Sequence, residues 1–257
     1  MGNVRPPLTL KPHVACELPA SAMVMAAGLG KRMRPLTATR PKPLIDVAGR
    51  SLLDRALDHV AAAGIGHAVV NAHYFADQIE AAVKARTTSG AGPASIAVSD
   101  ERSQLLETGG GIVKALPLLD GPAFYTINAD NMWIDGPIDT LRLLASRWNP
   151  HQMDALLLLI PLARAHGYEG RGDFHMDGLG HITPRAGLKM APFVYSGVQI
   201  ISRHLFDGEP AEPFTMWRAW NKALAAGRLF GLSHPGLWFH VGTPASIGET
   251  ETLLQMV

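Results

Sequence analysis

Short apolar runs alternate with amphipathic segments through the first half of the chain, and that alternation leaves few folds open. Residues 23–27, 67–72, 95–99 and 123–128 read as strands, and residues 51–63, 75–85 and 110–118 as helices. The first helix carries Leu52, Leu53, Ala56, Leu57, Val60 and Ala61 on one stripe and stops at Gly64. Such a sequence predicts an α/β fold, a Rossmann-like mixed, mainly parallel sheet covered by helices. Right-handed crossovers bring the strand ends to one rim, where ligands of open α/β sheets bind. The segments after residues 27 and 128 therefore face each other there.

The second half is more varied. Residues 138–148 read as helix and 154–160 as a continuous apolar strand, followed by an antiparallel ribbon of 172–176 and 181–183 with turns at Gly178 and Gly180. A strand over 193–201 and a helix over 215–226 follow, and a last helix spans 244–254 with Thr243 as N-cap and Pro244 at its first position. Residues 1–22, with Pro6, Pro7, Pro12 and Pro19 and no continuous apolar core, read as a flexible or appended extension rather than a secretory signal. Residues 23–257 then form a single domain.

A net charge of +1 gives no global field for nucleic acid or anionic membrane, and no apolar run reaches the ~18 residues that span a bilayer. Cys16 is the only cysteine, which excludes an internal disulfide and fits a reducing cytoplasm. Positive charge is local instead. Gly28 and Gly30 precede Lys31, Arg32, Arg34, Arg40 and Lys42, and Pro35, Pro41 and Pro43 stiffen the loop. Glycines that admit positive φ let backbone N–H groups approach an anion, and the cations neutralise phosphate oxygens. The loop is a polyphosphate cradle. It lacks the Gly-x-x-x-x-Gly-Lys-Ser/Thr of a P-loop, and Met33 stands where a dinucleotide fingerprint needs its third glycine.

The run Ala26-Ala27-Gly28-Leu29-Gly30-Lys31-Arg32-Met33-Arg34-Pro35-Leu36-Thr37, followed by Pro41-Lys42-Pro43-Leu44, resembles the nucleoside-triphosphate transferase family, the sugar-1-phosphate nucleotidylyltransferases. The resemblance covers about residues 23–254 and implies the nucleotide-diphospho-sugar transferase fold. It implies a mainly nucleotide-binding half over 23–135 and a mainly sugar-phosphate-binding half over 136–257. Ala26 to Arg32 would cradle the nucleotide, Arg32 would stabilise leaving pyrophosphate, and Lys42 would bridge the attacking and α-phosphates.

Asn128-Ala129-Asp130-Asn131 follows an apolar strand, a position that suits a metal-holding carboxylate, although Asn and Asp also build ordinary turns. By resemblance Asp130 holds Mg²⁺ and Asn128 belongs to the nucleotide site. The family's second metal aspartate is replaced by His240, which either ligates, bonds a metal-bound water or packs nearby, and imidazole admits Mn²⁺. Glu107-Thr108-Gly109-Gly110-Gly111 resembles the base-recognition loop, nearest to uridylyltransferases acting on N-acetylmuramate 1-phosphate. Its bare backbone would offer N–H or C=O groups to a base edge. Glu169, Arg171 and Asp173, with Tyr195, Ser196 and Gly197, form the expected sugar-phosphate side. Arg171 reads either as a partner for a lactyl carboxylate or as one half of a loop ion pair. Trp217, Trp220 and Trp238 read as core or interface residues.

The implied reaction joins UTP to a sugar 1-phosphate in a monomer or small homo-oligomer. A mannose-1-phosphate guanylyltransferase and a catalytically silent nucleotide-sugar-binding subunit are the alternatives.

Overall fold

The structure is a computed structural model and describes residues 16–256; most of the expected extension lies outside them. The first half of the chain contributes β1 (Ser21–Met25), β2 (Asp46–Val47), β3 (Arg50–Ser51), α1 (Leu52–Ala63), β4 (His67–Ala72), α2 (Ala76–Ser89), β5 (Ser95–Asp100), α3 (Glu107–Ala115) and β6 (Ala123–Asn128). There follow β7 (Asn131–Ile134), α4 (Thr140–Arg147), β8 (Ala155–Pro161), β9 (Ala165–His166), β10 (Phe174–Met176), β11 (Ile182–Pro184) and β12 (Phe193–Ser202). The chain closes with α5 (Trp217–Ala225), β13 (Leu229–Ser233), β14 (Leu237–His240) and α6 (Pro244–Leu254).

The main sheet runs β13-β8-β12-β6-β1-β4-β5, and β12 alone in that row opposes its neighbours. The β10–β11 ribbon extends from the start of β12, as the glycine turns predicted. A smaller sheet, β7-β14-β9, closes the rim. The mainly parallel sheet is therefore as expected, but β7, β13 and β14 were not. Each has only four or five residues, too few for periodicity to register, and each exists through pairing with a distant partner.

Alternation along the strands builds two cores. Val24, Val70, Tyr125, Leu158 and Ile200 pack under α1, α2 and α4; Met23, Val69, Phe124, Leu157 and Ile201 pack under α3 and α5. A third cluster of Met33, Ile45, Val47, Leu52, Met132, Phe239 and Val241, flanked by Ile247 and Leu253 of α6, backs the loop of residues 28–42. Helix ends follow local chemistry. The Ser51 Oγ accepts from Asp54 N–H at 3.0 Å, Gly64 closes α1 at φ +88, and Thr243 and Ser246 make a reciprocal capping box. No helix among the described residues is long and apolar enough to cross a membrane.

Several boundaries moved, α2 for one running on to Ser89, and two of these shifts bear on the site. β1 starts at Ser21 and ends at Met25, because its pairing with β4 begins at Ser21↔His67 and Ala26 turns away. α3 starts at Glu107 rather than at residue 110, so the glycines lie within its turns. The segment 212–214 crosses this helix so closely that a Cβ on Gly109 would strike the Phe214 ring and one on Gly110 the Glu212 carbonyl oxygen. Packing thus accounts for glycines that the sequence suggested were kept bare for a ligand.

Because the obstacle at Gly110 is backbone, Gly110→Ala should destabilise the fold by about 1–3 kcal/mol, the usual range for overpacking. Urea unfolding measures this, and an unchanged midpoint would contradict the close crossing.

Candidate active site

The cradle is built by the chain folding back after β1. Gly30 sits at φ +59, and a Cβ there would lie 2.9 Å from Thr37 Cγ2 and 3.1 Å from Lys42 Cβ. The Thr37 hydroxyl donates to the Gly30 carbonyl at 2.8 Å, and Tyr74 donates to the Thr37 carbonyl at 2.8 Å. Gly28 needs no positive φ; it is exposed with open space above it, which leaves its backbone approachable. Of the two glycines, only Gly30 uses the left-handed region.

Gly28, Gly30, Lys31, Arg32, Lys42 and Asp130 line one cavity of about 200 Å³. Lys42 is buried, and its Nζ lies 3.1 Å from Asp130 Oδ2 across 88 residues of chain. Arg32 is exposed and makes no ion pair with another described residue. Ala27 and Leu29 continue the turn beside it. Ala26, expected among the residues that cradle the nucleotide, donates its N–H to Asn71 Oδ1 at 2.6 Å. The Met25 carbonyl accepts from Ala129 N–H at 3.1 Å, which ties the Asp130 loop to the end of β1.

The second carboxylate oxygen, Asp130 Oδ1, is buried without a hydrogen-bond partner. A hard divalent cation fits such an oxygen, because Mg²⁺ is commonly held by one or two carboxylates and completed by substrate phosphates. Among the described residues no three His, Cys, Asp or Glu side chains converge on a site that could hold a metal ion. His240 Nδ1 lies 3.2 Å from Asn131 Oδ1, and a Cβ on Gly242 would be 2.5 Å from its Nε2. With Nδ1 donating to Asn131, the Nε2 lone pair lies beside Gly242 in the cavity wall. Burial lowers the His240 pKa, Asp130 opposes, and Lys42 and Arg32 add to the fall.

The expected sugar-side residues divide. Glu169 lines a neighbouring cavity of about 320 Å³ with Arg32, His240 and Gly242. Tyr195 lines a different one of about 220 Å³ with Thr108, Asn128, Trp217 and Trp220. Arg171 points elsewhere and donates to the Leu188 carbonyl at 2.7 Å. Asp173 accepts from Tyr195 N–H at 2.9 Å, and the buried Ser196 accepts from Val198 N–H at 3.1 Å through its hydroxyl. These last three brace loops and line none of the cavities described. Gly197, at φ +88, lets Asn128 approach to within 2.9 Å of where its Cβ would be.

The base-recognition loop also differs from expectation. The Gly109 and Gly110 N–H groups donate to the Phe214 carbonyl at 2.8 and 3.3 Å, and Thr108 Oγ1 accepts from Met216 N–H at 2.8 Å. They are spent on α3 packing and are not free for a base edge, whereas Glu107 is exposed at φ +60. Trp238 is core, as read, but Trp217 is 39% exposed at the mouth of the Tyr195 cavity, with Trp220 at 5.1 Å in edge contact behind it. The sequence reading passed over Trp217, Asn71 and Glu101 as site residues. A lone Asn in an apolar strand was the available signal for Asn71.

A parallel sheet whose rim sets a cationic loop against a strand-end carboxylate defines the class of nucleotidyltransferases. Residues 22–196 match the model of MobA-like NTP transferase domains, and the chain belongs to that family. It is similar to N-acetylmuramate alpha-1-phosphate uridylyltransferase of Caulobacter vibrioides, at 44% identity over 229 residues, 89% of this chain and 94% of the relative. The protein of the same name from Neisseria meningitidis serogroup B is 35% identical over 234 residues, 90% of this chain and 97% of the relative. The crystal structure of UDP-glucose pyrophosphorylase complexed with UDP-glucose shares the fold, with a TM-score of 0.75 over 93% of this chain and 99% of that one, at 15% identity.

Burial also lowers the pKa values of His59 and His234, so three histidines resist protonation when folded. The unfolded chain then binds more protons than the folded one, and stability falls as pH drops below about 6.5. Thermal midpoints taken from pH 7.5 downwards should decline, and His234→Gln should flatten the decline. An unaltered slope in that variant would remove His234 as a contributor.

Proposed function

We propose that this chain transfers UMP from UTP to a sugar 1-phosphate, with N-acetylmuramate 1-phosphate as the favoured acceptor, and releases pyrophosphate. The observation that carries the reading is the pairing of buried Lys42 with half-buried Asp130, facing the Gly28–Arg32 loop across one cavity. Two polyanions must meet there, and the chain supplies a cation for each side.

An acceptor phosphate oxygen attacks the α-phosphorus in line. The new P–O bond forms as the bond to the β-phosphate oxygen breaks, and pyrophosphate departs with the electron pair. Lys42, held by Asp130 before substrate arrives, sits where the two phosphates converge, and Arg32 neutralises charge on the leaving side through its planar fork of donors. Asp130 Oδ1 would hold Mg²⁺, with Mn²⁺ admitted if His240 Nε2 joins. A bound cation supplies screening between the phosphates. Positioning and charge neutralisation suffice, and no protein nucleophile is needed.

The Tyr195 cavity supports the acceptor assignment. It joins the cradle at Met25, lies on the β6–β12 side, and combines Trp217, Trp220 and Met216 with the polar groups of Thr108, Thr126 and Asn128. Apolar walls with a few convergent polar groups suit an acylated sugar. The single cysteine, Cys16, supports a cytoplasmic setting.

Pyrophosphate release from four NTPs crossed with N-acetylmuramate, N-acetylglucosamine and mannose 1-phosphates, in Mg²⁺ and Mn²⁺, tests the reading. The fastest pair should be UTP with N-acetylmuramate 1-phosphate; preference for GTP with mannose 1-phosphate would replace it, and silence throughout would indicate a binding subunit. Lys42→Ala and Asp130→Asn should each lower kcat about tenfold to a thousandfold, as expected for losing one transition-state charge partner. Near-normal turnover in either removes its assigned role. Trp217→Ala should raise KM for the sugar phosphate and leave KM for UTP unchanged; the opposite split would move the acceptor elsewhere.

A further inference from the structure

One buried polar cluster takes no part in the transfer described above. Asn71, next to last in β4, is 1% exposed, and Glu101, the first residue after β5, is 0% exposed. A carboxylate at that depth is costly unless its oxygens are satisfied. Both oxygens are. Glu101 Oε1 accepts from Asn71 Nδ2 at 2.7 Å and Oε2 accepts from Leu106 N–H at 3.2 Å, immediately before α3. Asn71 Oδ1 in turn accepts from Ala26 N–H at 2.6 Å.

That N–H belongs to the same peptide group as the Met25 carbonyl, which accepts from Ala129 N–H beside Asp130 at 3.1 Å. A continuous chain of hydrogen bonds therefore runs from the Asp130 loop through peptide 25–26, Asn71 and Glu101 to the start of α3. From Ala129 onward each donor points toward Glu101, and Leu106 closes on it from the other side. The shared terminal acceptor is a carboxyl group whose two oxygens both accept, bonds that oppose the rise burial imposes on its pKa, and each bond polarises the next. Gly111 keeps the space clear, since a Cβ there would lie 2.8 Å from Glu101 Oε1 and 3.1 Å from Asn71 Nδ2.

Peptide 25–26 is also where β1 becomes the cradle, the point at which a small rotation would displace every phosphate-facing group after it. We infer that Asn71 and Glu101 are positioning residues for nucleotidyl transfer, locking peptide 25–26 so that the cradle, Asp130 and the start of α3 stay in register. The inference rests on the nucleotidyltransferase reading but not on which sugar is the acceptor.

Exchange of the two polar groups tests it. Glu101→Gln sets an amide N–H against Asn71 or Leu106, and Asn71→Asp sets a second carboxylate against Glu101. In the double variant Asn71→Asp/Glu101→Gln the amide and carboxylate trade places, and all three donors find acceptors again. Each single variant should lose about 10- to 100-fold in kcat per folded molecule, as small misplacements at a reacting centre do. The double variant should return to within about threefold of the parent, the mark of coupled neighbours.

A purely structural role would lower the thermal midpoint of the single variants and leave kcat of the folded enzyme unchanged, which would overturn the inference. So would a folded double variant as impaired as the singles. If Glu101→Gln does not fold, Asn71→Ala, which removes both the acceptor for Ala26 N–H and the donor to Glu101, is judged by the same kcat criterion. Absence of turnover in the parent with every substrate pair would refute the proposed function instead. UTP affinity by calorimetry would then decide the inference, supported if the singles bind more weakly and the double recovers, and overturned if all bind alike.

Discussion

Everything at the site depends on β1 being held between two parallel neighbours. Its pairing with β4 and with β6 sets Met25 opposite Asn128, so the chain leaves β1 and β6 at the same height on the rim. The cradle follows one strand and Asp130 the other. Parallel strands need helical crossovers, and α1, α2 and α3 supply them while covering both faces of the sheet. Catalytic placement is in this sense a consequence of hydrophobic burial on both faces.

On that frame the electrostatics are economical. Lys42 is buried beside Asp130, each lowering the cost of the other's charge, while Asp130 keeps one oxygen unpartnered and Arg32 stays exposed. Such a site is incomplete by construction. It holds unsatisfied acceptor and donor capacity that polyphosphate and a hard cation can satisfy together. The third apolar cluster, running from Met33 to Phe239 and Val241, keeps the loop from collapsing into that space.

Much of this was legible in the chain. The strands β4, β6, β8 and β12, the helices α1 and α6 with their caps, and the cradle from Gly28 to Lys42 with Asp130 opposite could be read from periodicity, capping chemistry and motif. The short strands β7, β13 and β14 could not, because their stability comes from partners about 75 to about 110 residues away rather than from their own pattern. The glycine triplet misled for a related reason. Its bare backbone serves the crossing of residues 212–214, and nothing local in Gly109 or Gly110 records that contact. Arg171, Asp173 and Ser196 looked like ligand groups because polar residues on turns bind sugars and brace loops equally well.

The sequence by itself determined the α/β class, the glycine- and cation-rich loop after the first strand and the carboxylate at a strand end, since each is written in residues close together in the chain. Only the tertiary structure decided that Lys42 pairs with Asp130, that Trp217 opens onto a cavity, and that peptide 25–26 is clamped between Asn71 and Ala129. Those facts are distances between remote residues. They are settled when helices pack across the sheet and bring strand ends together, a step that no local pattern encodes.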